Sequence, residues 1–421
     1  MKYEDFIDLN YKPGKNDLIC LFRVEPQKGI SIKEAAGRIA SESSTGTWVK
    51  KLTTETKGVM KRIRDISAKV FEINGNYIKI AYPIDLFELG NMPQILSSIA
   101  GNIFGMKAIK NLRLEDIIYW PRKLVKSFKG PQFGIKGIRK LFNIWDRPLT
   151  ATVPKPKVGL TEMEEAKAAY EAWIGGIDLE KSDENLASLK FNKFEKRIEL
   201  LVKMREKAEK VTGEKKSFLP NITAETQTMI KRAELVKNLG GEYVMIDIIT
   251  AGWSSLQTLR NICEDLKLAI HAHRAMHASF TRNPKHGISM LVIAKIARII
   301  GVDQLHTGTA GLGKLKTYEE ETKKINQFLV SDLNGINTVF PVASGGLHPG
   351  LIPTLIKKLG KDIIIQCGGG LWGHKLGGRA GAKAIRQAIE ASIQKIPLNE
   401  YSKKYKELKI ALEEWGYTRP I

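Results

Sequence analysis

Cysteine is scarce in this sequence, and long apolar runs are absent. The 421 residues include three cysteines, Cys20, Cys263 and Cys367, and so sparse and odd a set argues against a disulfide framework and for a reducing compartment. No apolar run of about 20 residues and no signal-peptide pattern occurs. We therefore expect a cytoplasmic protein with no membrane partner, long enough for two domains that each bury a core.

Acidic residues are outnumbered, because 45 Asp and Glu stand against 67 Lys and Arg, a formal net charge of +22. Such a charge is compatible with a nucleic-acid partner. However, the lysines are spread along helical faces, as in residues 191–216, and are not clustered with aromatic residues. The pattern favours a solvated basic surface and no nucleic-acid partner. It also suits the steering of a polyanionic small substrate towards a basic cleft.

The most informative stretch is residues 175–184, Gly-Gly-Ile-Asp-Leu-Glu-Lys-Ser-Asp-Glu, which places one lysine beside two carboxylates. Neighbouring side chains in a strand point to opposite faces, so Lys181, Asp183 and Glu184 can serve one site only if the strand 177–181 ends there and a loop follows. Carboxylate oxygens suit a hard cation such as Mg²⁺, which takes one or two of them and keeps positions open for substrate or water.

A lysine in a cation site is unexpected, because an ammonium group repels the metal. The conflict disappears if the neutral amine of Lys181 captures CO2, since the resulting carbamate is an anionic oxygen ligand. The two carboxylates are expected to favour the charged form of this lysine, whose unperturbed pKa is about 10.4, and so to slow its reaction with CO2. The alternative interpretation of the stretch is an ion-pair cluster on the surface.

Residues 1–140 are predicted to form an α+β domain with an antiparallel sheet. Its predicted elements are, in order, a strand at 18–24, a helix at 31–39 and strands at 69–73, 76–82 and 111–120. Asn74-Gly75 lies between two of these strands and is a strong hairpin signal. Two further stretches, 42–48 and 100–105, are rich in small and polar residues and, taken alone, indicate ordinary turns.

From about residue 149 the sequence repeats a short apolar strand, a polar loop and a helical pattern. Residues 141–421 are therefore predicted to form a (β/α)8 barrel with a C-terminal helical tail, whose active site lies at the C-terminal ends of the strands. The eight predicted strands are 149–153, 177–181, 217–222, 243–247, 269–272, 304–307, 338–343 and 363–366. Pro154 cannot donate to a central ladder, so the first strand is expected to stop by Val153 and to leave Lys155 and Lys157 on the catalytic face.

Chemically capable residues also fall at the predicted ends of the later strands. Glycines after the seventh and eighth strands let backbone N–H groups approach an anion, as in barrel phosphate sites. Arg274 and His306 are candidates to hold a second phosphate, because arginine offers a bidentate fork. Two separated anion sites suggest a bisphosphate substrate. Against this, Gly-Gly pairs often mark only tight turns, and several of the seven histidines can be packed without a catalytic part.

Together these motifs resemble the large subunit of ribulose-1,5-bisphosphate carboxylase/oxygenase (RuBisCO), nearly end to end. The stretches that carry the resemblance are 155–160 (Lys-Pro-Lys-Val-Gly-Leu), 175–184, 271–277, 306–314, 344–346 and 368–370, with 42–48 and Gly101-Asn102 nearer the N-terminus. The short C-terminal end, the spacing within 306–314 and the Lys/Ile-rich composition are most similar to the archaeal form III type.

The resemblance implies a lyase that carboxylates D-ribulose 1,5-bisphosphate to two 3-phosphoglycerate through an enediolate and also oxygenates it, with CO2 and O2 as competing substrates. It implies Mg²⁺ as cofactor and CO2 as activator. Lys181 would be the carbamylated lysine, with Asp183 and Glu184 as the other metal ligands. The carbamate would also take the substrate C3 proton.

The resemblance further implies roles for the remaining residues. Lys155, supported by Lys157, and His273 would be acid/base groups, and Lys314 would close over the substrate on a mobile loop and stabilise the new carboxylate. One phosphate would be held by Arg274, His306 and Ser344. The other would be held by Gly346, Gly368, Gly369, Thr47 and Trp48, and Gly345 would also bind the substrate.

In this family Glu42, Thr47, Trp48 and Asn102 come from the N-terminal domain of the neighbouring subunit. The resemblance therefore implies a homodimer with shared active sites, compatible with a higher ring of dimers, and no small subunit is expected. Likeness to archaeal enzymes favours salvage of the ribose of AMP and other nucleosides over a photosynthetic cycle.

The sequence departs from the family pattern at a few positions. Val153-Pro154 replaces a more usual pair before Lys155, and Ser182 stands where Asp is common; neither change removes a metal ligand. The main alternative is a RuBisCO-like enolase or isomerase that acts on another sugar phosphate. Such proteins usually lose residues around the carboxylation step, whereas Lys314 and the N-terminal motif residues Glu42 and Asn102 are present here.

Overall fold

In the computed structural model the described residues are 2–49, 52–315 and 317–417. The chain divides into two compact units. The first consists of Met1–Lys129 with Met276–Ile300, and the second of Gly130–Ala275 with Gly301–Ile421. The predicted division of the sequence at residue 140 stays a prediction.

The strands and helices are labelled in chain order. The described strands are β1 Asp17–Pro26, β2 Lys69–Asn74, β3 Tyr77–Pro83, β4 Ile109–Tyr119, β5 Leu149–Thr152, β6 Leu179–Lys181, β7 Ser217–Leu219, β8 Tyr243–Asp247, β9 Ala269–His273, β10 Gly287–Ile288, β11 Gln304–His306, β12 Phe340–Ser344 and β13 Ile364–Cys367. The described α-helices are α1 Ile32–Glu42, α2 Lys57–Ile66, α3 Met92–Ile99, α4 Arg122–Val125, α5 Gly134–Phe142, α6 Glu162–Ile174, α7 Phe194–Thr212, α8 Thr226–Asn238, α9 Ile248–Ala251, α10 Trp253–Leu266, α11 Ala278–Thr281, α12 Met290–Ile300, α13 Glu319–Val330, α14 Ile352–Leu359, α15 Gly369–Trp372, α16 Gly378–Ile393, α17 Leu398–Tyr401 and α18 Lys406–Trp415. No described helix is long and apolar enough to cross a membrane.

The first unit contains a sheet in the order β10-β4-β1-β3-β2. The predicted hairpin is confirmed: β2 and β3 pair antiparallel, and Gly75 between them has a φ of 55°, which a glycine adopts without steric cost. β1 pairs antiparallel with β3 and β4, as the sequence predicted for this domain. The sheet is nevertheless mixed, because the two-residue strand β10, from far along the chain, pairs parallel with β4.

The second unit confirms the predicted barrel. In the described part of the chain, all eight predicted strands are present as one sheet in the order β7-β6-β5-β13-β12-β11-β9-β8. A parallel bridge between Asn221 and Met245 links its two end strands. β5 stops before Pro154, as expected. β7 is shorter than predicted and ends before Pro220, which has no N–H to donate and instead accepts a hydrogen bond from Met245 N at 2.8 Å.

The core of the barrel is closed at the N-terminal ends of the strands by α5. Ile138 and Phe142 of this helix pack with apolar side chains from inside the barrel, such as Leu149, Leu179 and Phe340. This face is therefore filled by hydrophobic packing. The opposite ends of the strands carry the polar side chains described below.

A buried ion pair joins β5 to β6 near this closed face. Arg147 donates from Nη1 to Asp178 Oδ2 at 2.7 Å and from Nη2 to Oδ1 at 2.8 Å, and Thr150 donates to the same carboxylate from its backbone N at 2.8 Å. Burial raises the pKa of Asp178, but the nearby Arg147 guanidinium outweighs burial and holds the pKa below its ordinary value. The folded protein therefore keeps this carboxylate charged.

Replacing Asp178 with Asn is expected to lower the free energy of unfolding by about 3–5 kcal/mol at neutral pH, because the buried Arg147 charge loses its partner. Since the folded-state pKa is depressed, the contribution of the carboxylate is complete above its unfolded pKa of about 3.9 and is lost as pH falls through the folded-state value. Urea unfolding of both proteins across this range measures the difference. A difference that stays constant with pH would contradict this role of the ion pair.

Candidate active site

A buried lysine and two carboxylates meet where β6 ends. Lys181 has no exposed surface, and its Nζ donates to the backbone oxygen of Ser182 at 2.8 Å and lies 3.6 Å from Glu184 Oε2. Asp183, in the loop between them, is also buried. The strand thus ends at the lysine, and the following loop returns both carboxylates to the same region, as the sequence predicted.

The protonation of Lys181 differs from the expectation. Burial lowers the pKa of this lysine, and although Glu184 and Asp183 act in the opposite direction, the pKa remains below its ordinary value. The sequence argument counted the carboxylates but not the burial, and its direction was therefore wrong. A lowered pKa increases the fraction of Lys181 that is a neutral amine at a given pH, and the neutral amine is the form that reacts with CO2.

Two lysines from the loop after β5 neutralise the carboxylates. Lys155 Nζ donates to Asp183 Oδ2 at 2.9 Å, and Lys157 Nζ lies 3.0 Å from Glu184 Oε1. Burial raises the pKa of Glu184, but the nearby Lys181 and the Lys157 hydrogen bond outweigh it, so that the pKa lies far below its ordinary value. Glu184 is thus anionic, and both carboxylates face lysine side chains.

This donor set fits a magnesium ion only if the lysine contributes an oxygen. Among the described residues, no three His, Cys, Asp or Glu side chains are grouped so that they could hold a metal ion. Asp183 and Glu184 supply the one or two carboxylates that Mg²⁺ takes from proteins. A carbamate on the buried Lys181 would add a third anionic oxygen donor and remove the positive charge that opposes a cation.

His273, at the end of β9, is positioned by the neighbouring strand β8. Its Nδ1 lies 2.7 Å from Asp247 Oδ1, and its Nε2 lies 3.8 Å from Glu184 Oε2. Burial and the charge of Lys181 lower the pKa of His273, although Asp247 acts in the opposite direction. A neutral imidazole whose Nδ1–H donates to Asp247 leaves Nε2 as the basic atom on the side of the carboxylates.

The predicted phosphate residues of β9, β11 and β12 lie at neighbouring strand ends. His306 Nδ1 lies 2.7 Å from Ser344 Oγ. Arg274 is buried, and burial lowers its pKa to about 10. Gly308 leaves room for this arginine, because a Cβ there would lie 3.2 Å from Arg274 Nη2 in a backbone conformation that favours glycine. The structure thus brings His306 and Ser344 into contact and places Arg274 beside the turn after β11.

The predicted glycines follow β12 and β13. Gly345 and Gly346 have φ values of 108° and 82°, which glycine adopts readily. Gly368 lies beside Lys155 of the loop after β5, since a Cβ on this glycine would lie 3.2 Å from Lys155 Cε. A Cβ on Gly369 would meet open space. These turns place backbone groups at the same end of the barrel as the carboxylates.

The Lys314 loop contacts the turn after β12. Lys314 N donates to Gly345 O at 3.0 Å, and a Cβ on Gly313 would lie 1.9 Å from that same oxygen. Gly313 N also donates to Thr309 Oγ1 at 2.8 Å. The Lys314 side chain is exposed. Glycine at 313 is therefore required for the backbone of this loop to rest against the β12 turn.

Two models of known protein families match this chain. Residues 134–415 match the family model of the ribulose bisphosphate carboxylase large chain, catalytic domain, and residues 5–124 match that of its N-terminal domain. The chain belongs to the RuBisCO large-chain family. The two family domains follow the order that the sequence predicted.

Similar RuBisCO proteins are archaeal. The chain is 58% identical to the ribulose bisphosphate carboxylase of Pyrococcus abyssi over 99% of this chain and 98% of the relative. It is similar to the octameric RuBisCO of Pyrococcus horikoshii, solved as a complex with sulfate ion, with a TM-score of 0.95 and 56% identity over 100% of this chain and 98% of that one. The dimeric archaeal RuBisCO of Hyperthermus butylicus gives a TM-score of 0.91 at 47% identity over 99% and 100%.

The RuBisCO motif residues of the N-terminal unit lie near its surface. Glu42 is the last residue of α1 and is exposed, Thr47 is half-buried, and Trp48 is 83% exposed. Asn102 is exposed at the start of the 3₁₀ turn Asn102–Gly105. None of the four is a core residue.

Sequence reasoning missed several polar residues of the candidate site. Asp247 holds His273, and Asn221 Nδ2 donates to the backbone oxygens of Asp183 and Glu184 at 3.2 and 3.0 Å. Gln304 lies buried inside the barrel beside His271, which the sequence analysis named only within the stretch 271–277. The available signal was position, because Asp247 is the last residue of a predicted strand and Asn221 lies near the end of another.

Proposed function

We propose that this chain catalyses the Mg²⁺-dependent carboxylation of D-ribulose 1,5-bisphosphate to two 3-phosphoglycerate through an enediolate, with oxygenation by O2 as a competing reaction. The observation that carries the proposal is the fully buried Lys181 amine, 3.6 Å from Glu184 Oε2 at the end of β6. Membership of the RuBisCO family supports the same reaction, as do relatives named ribulose bisphosphate carboxylase.

Lys181, carrying a carbamate formed from its neutral amine and CO2, would hold the metal together with Asp183 and Glu184. When bound, Mg²⁺ would act as a Lewis acid that polarises the oxygens of the substrate and favours loss of its C3 proton. Asn221 supports this arrangement, because its amide fixes the backbone oxygens of both carboxylate residues. The ligand loop would thus be held in place before the substrate arrives.

The acid/base roles are assigned from charge and position. Lys155 and Lys157 lie beside the carboxylates, and Lys155 would protonate or deprotonate the substrate near C2 with the support of Lys157. His273 is neutral, because its pKa is lowered, and its Nε2 would accept a proton while Asp247 holds Nδ1. The carbamate on Lys181 would take the C3 proton.

The two phosphates of the substrate would be held at separate strand ends. Arg274, His306 and Ser344 would bind one phosphate, and this assignment is supported by the contact between His306 and Ser344. The other phosphate would be held by the backbone at Gly345, Gly346, Gly368 and Gly369 and by Thr47 and Trp48 of the partner chain.

The decisive experiment is incubation with ribulose 1,5-bisphosphate, labelled bicarbonate and Mg²⁺, with detection of labelled 3-phosphoglycerate. Carboxylation should occur only when all three are present. Exchange of the substrate C3 proton without labelled product would instead indicate an enolase. No reaction of either kind would contradict the proposal.

Enzyme freed of CO2 and Mg²⁺ is expected to begin with little activity and to gain it during preincubation with both, because only the neutral amine of Lys181 reacts with CO2 and the metal then retains the carbamate. Since the neutral fraction of an amine grows with pH, activation should be faster at alkaline than at neutral pH. Initial rates after preincubation with CO2, Mg²⁺ or both measure this. Full activity from the first turnover without preincubation would rule out the carbamate as a required ligand.

We further propose a homodimer whose active sites each use two chains. One of the similar RuBisCO structures is dimeric and another is octameric, which is compatible with a ring of dimers. A role in the salvage of AMP and nucleoside ribose, typical of archaeal form III enzymes, remains a prediction.

A further inference from the structure

A continuous chain of hydrogen bonds runs through the interior of the barrel to the proposed phosphate site. Tyr243 OH lies 3.2 Å from Gln304 Nε2, and Gln304 Oε1 lies 2.7 Å from His271 Nδ1. His271 Nε2 lies 2.8 Å from His306 Nε2, and His306 Nδ1 lies 2.7 Å from Ser344 Oγ. All of these side chains except Ser344 are buried, and among the residues that the structure describes these atoms hydrogen-bond to one another.

The contact between the two imidazoles makes the chain directional. Burial lowers the pKa of His271 to about 3 and holds the pKa of His306 well below its ordinary value. Each ring is therefore neutral and carries one N–H, and one of the two facing Nε2 atoms must donate while the other accepts. Every other hydrogen bond in the chain is then fixed by this choice.

In the orientation of Gln304 found here, the hydrogens point away from the proposed substrate. His271 Nδ1–H donates to Gln304 Oε1, so His271 Nε2 accepts from His306 Nε2–H. His306 Nδ1 then accepts the hydroxyl hydrogen of Ser344. The hydroxyl has only lone pairs left to face a ligand, and lone pairs disfavour a phosphate.

The opposite direction is available if the Gln304 amide turns over. Its NH2 group then donates to His271 Nδ1, while its oxygen accepts from Tyr243 OH. His271 Nε2–H donates to His306, and His306 Nδ1–H donates to Ser344 Oγ. The hydroxyl hydrogen of Ser344 is then released for a phosphate oxygen. An amide permits both directions, because it carries a donor and an acceptor on one rotatable group.

We propose that Tyr243, Gln304, His271, His306 and Ser344 form a reversible hydrogen-bond relay, in which binding of a phosphate group at Ser344 turns the Gln304 amide. This inference rests on the proposed function for the identity of the natural ligand, but not for the relay itself. Gln304 and His271 are positioning residues, since they act on the ligand only through His306 and Ser344.

Neutron diffraction of perdeuterated crystals, with and without inorganic phosphate, tests the relay without any turnover. Without phosphate we expect deuterium on His271 Nδ1 and His306 Nε2. With phosphate beside Ser344 we expect deuterium on His271 Nε2 and His306 Nδ1 and a reversed Gln304 amide. Phosphate bound with an unchanged pattern, or absent from Ser344, would overturn the proposal.

Variants at Gln304 give a second, kinetic test. At a pH where its carboxylate is ionised and His271 is neutral, Gln304→Glu can only accept, so it should fix the phosphate-free direction and raise KM for the bisphosphate about tenfold or more with a smaller change in kcat, as the loss of one hydrogen bond to a charged group predicts. Gln304→His restores a donor and an acceptor and should recover most of the affinity. Gln304→Leu removes both the acceptor and the donor beside His271 Nδ1, so it fixes neither direction and should raise KM less than Gln304→Glu.

The Leu variant separates the relay from a merely structural role. If Gln304 only supported packing, Gln304→Leu and Gln304→His would both impair the enzyme at least as much as Gln304→Glu, and this result would refute the relay. Urea unfolding identifies variants that fail to fold. Wild-type protein that carboxylates ribulose bisphosphate but shows no reversal would overturn the relay and leave the proposed function intact. Reversal in a protein that does not carboxylate ribulose bisphosphate would support the relay and overturn the proposed function.

Discussion

Replacing Lys314 with alanine is expected to lower carboxylation about 10²–10³-fold, the usual cost of removing a group aimed at charge that develops in the transition state. In the proposed mechanism, enolisation needs the metal ligands and Lys155, whereas addition of CO2 also needs a cation where the new carboxylate forms. Lys314 is suited to this role, because its side chain is exposed on a loop whose backbone rests against Gly345. Exchange of the C3 proton should therefore survive the substitution.

Proton exchange with solvent and formation of 3-phosphoglycerate should be measured on the same sample. The matched control is Lys324→Ala, which removes an exposed lysine of α13 outside the Lys314 loop and should leave both rates unchanged. The Lys314 variant should also hold a carboxylated intermediate analogue weakly, because in the proposed mechanism the loop closes over it. A parallel fall of exchange and carboxylation would contradict this assignment, and so would normal carboxylation without Lys314.

Two inactive variants, Glu42→Gln and Lys181→Met, are expected to restore activity when they are combined in one heterodimer. If each site uses the barrel of one chain and the N-terminal unit of the other, the heterodimer has one site with both native residues and one with neither. Doubly tagged heterodimers should therefore show about half of the wild-type activity, while each parent homodimer is inactive.

The matched control places both substitutions on one chain and pairs it with a wild-type chain. With shared sites, each of the two sites then carries one substitution, and this heterodimer should be inactive. With sites confined to single chains, the wild-type chain would work alone, and the control rather than the first heterodimer would retain activity. The two arrangements thus give opposite results with the same two substitutions.

The barrel could be predicted from the sequence because its signals are local. Each strand is a short apolar run followed by helical periodicity, and Pro154 marks the end of the first strand. The strand ends that were predicted wrongly depend on hydrogen bonds to neighbouring strands. β7 ends early because Pro220 has no N–H and serves only as an acceptor for Met245. The parallel pairing of β10 with β4 was missed, because a two-residue strand carries no periodicity.

The site could be predicted in part, for a similar reason. Lys181, Asp183 and Glu184 lie within four residues of one another, and their proximity is visible in the sequence. Asp247 and Gln304 act on side chains from other strands, so their roles depend on barrel register. The lowered pKa of Lys181 depends on burial by residues distant in sequence, and counting neighbouring charges gave the opposite direction.

The first unit is built from two segments that lie far apart in the sequence, and this has a consequence for biosynthesis. Domains generally fold as units from the N-terminus during synthesis. Here Arg113 of β4 donates to the backbone oxygens of Thr281 and Asn283 at 3.2 and 2.7 Å, and β10 pairs beside it. The ribosome must therefore deliver five barrel strands, β5 to β9, before the N-terminal unit receives its last segment. A nascent chain released before residue 300 leaves both units unfinished, and one cut cannot separate them.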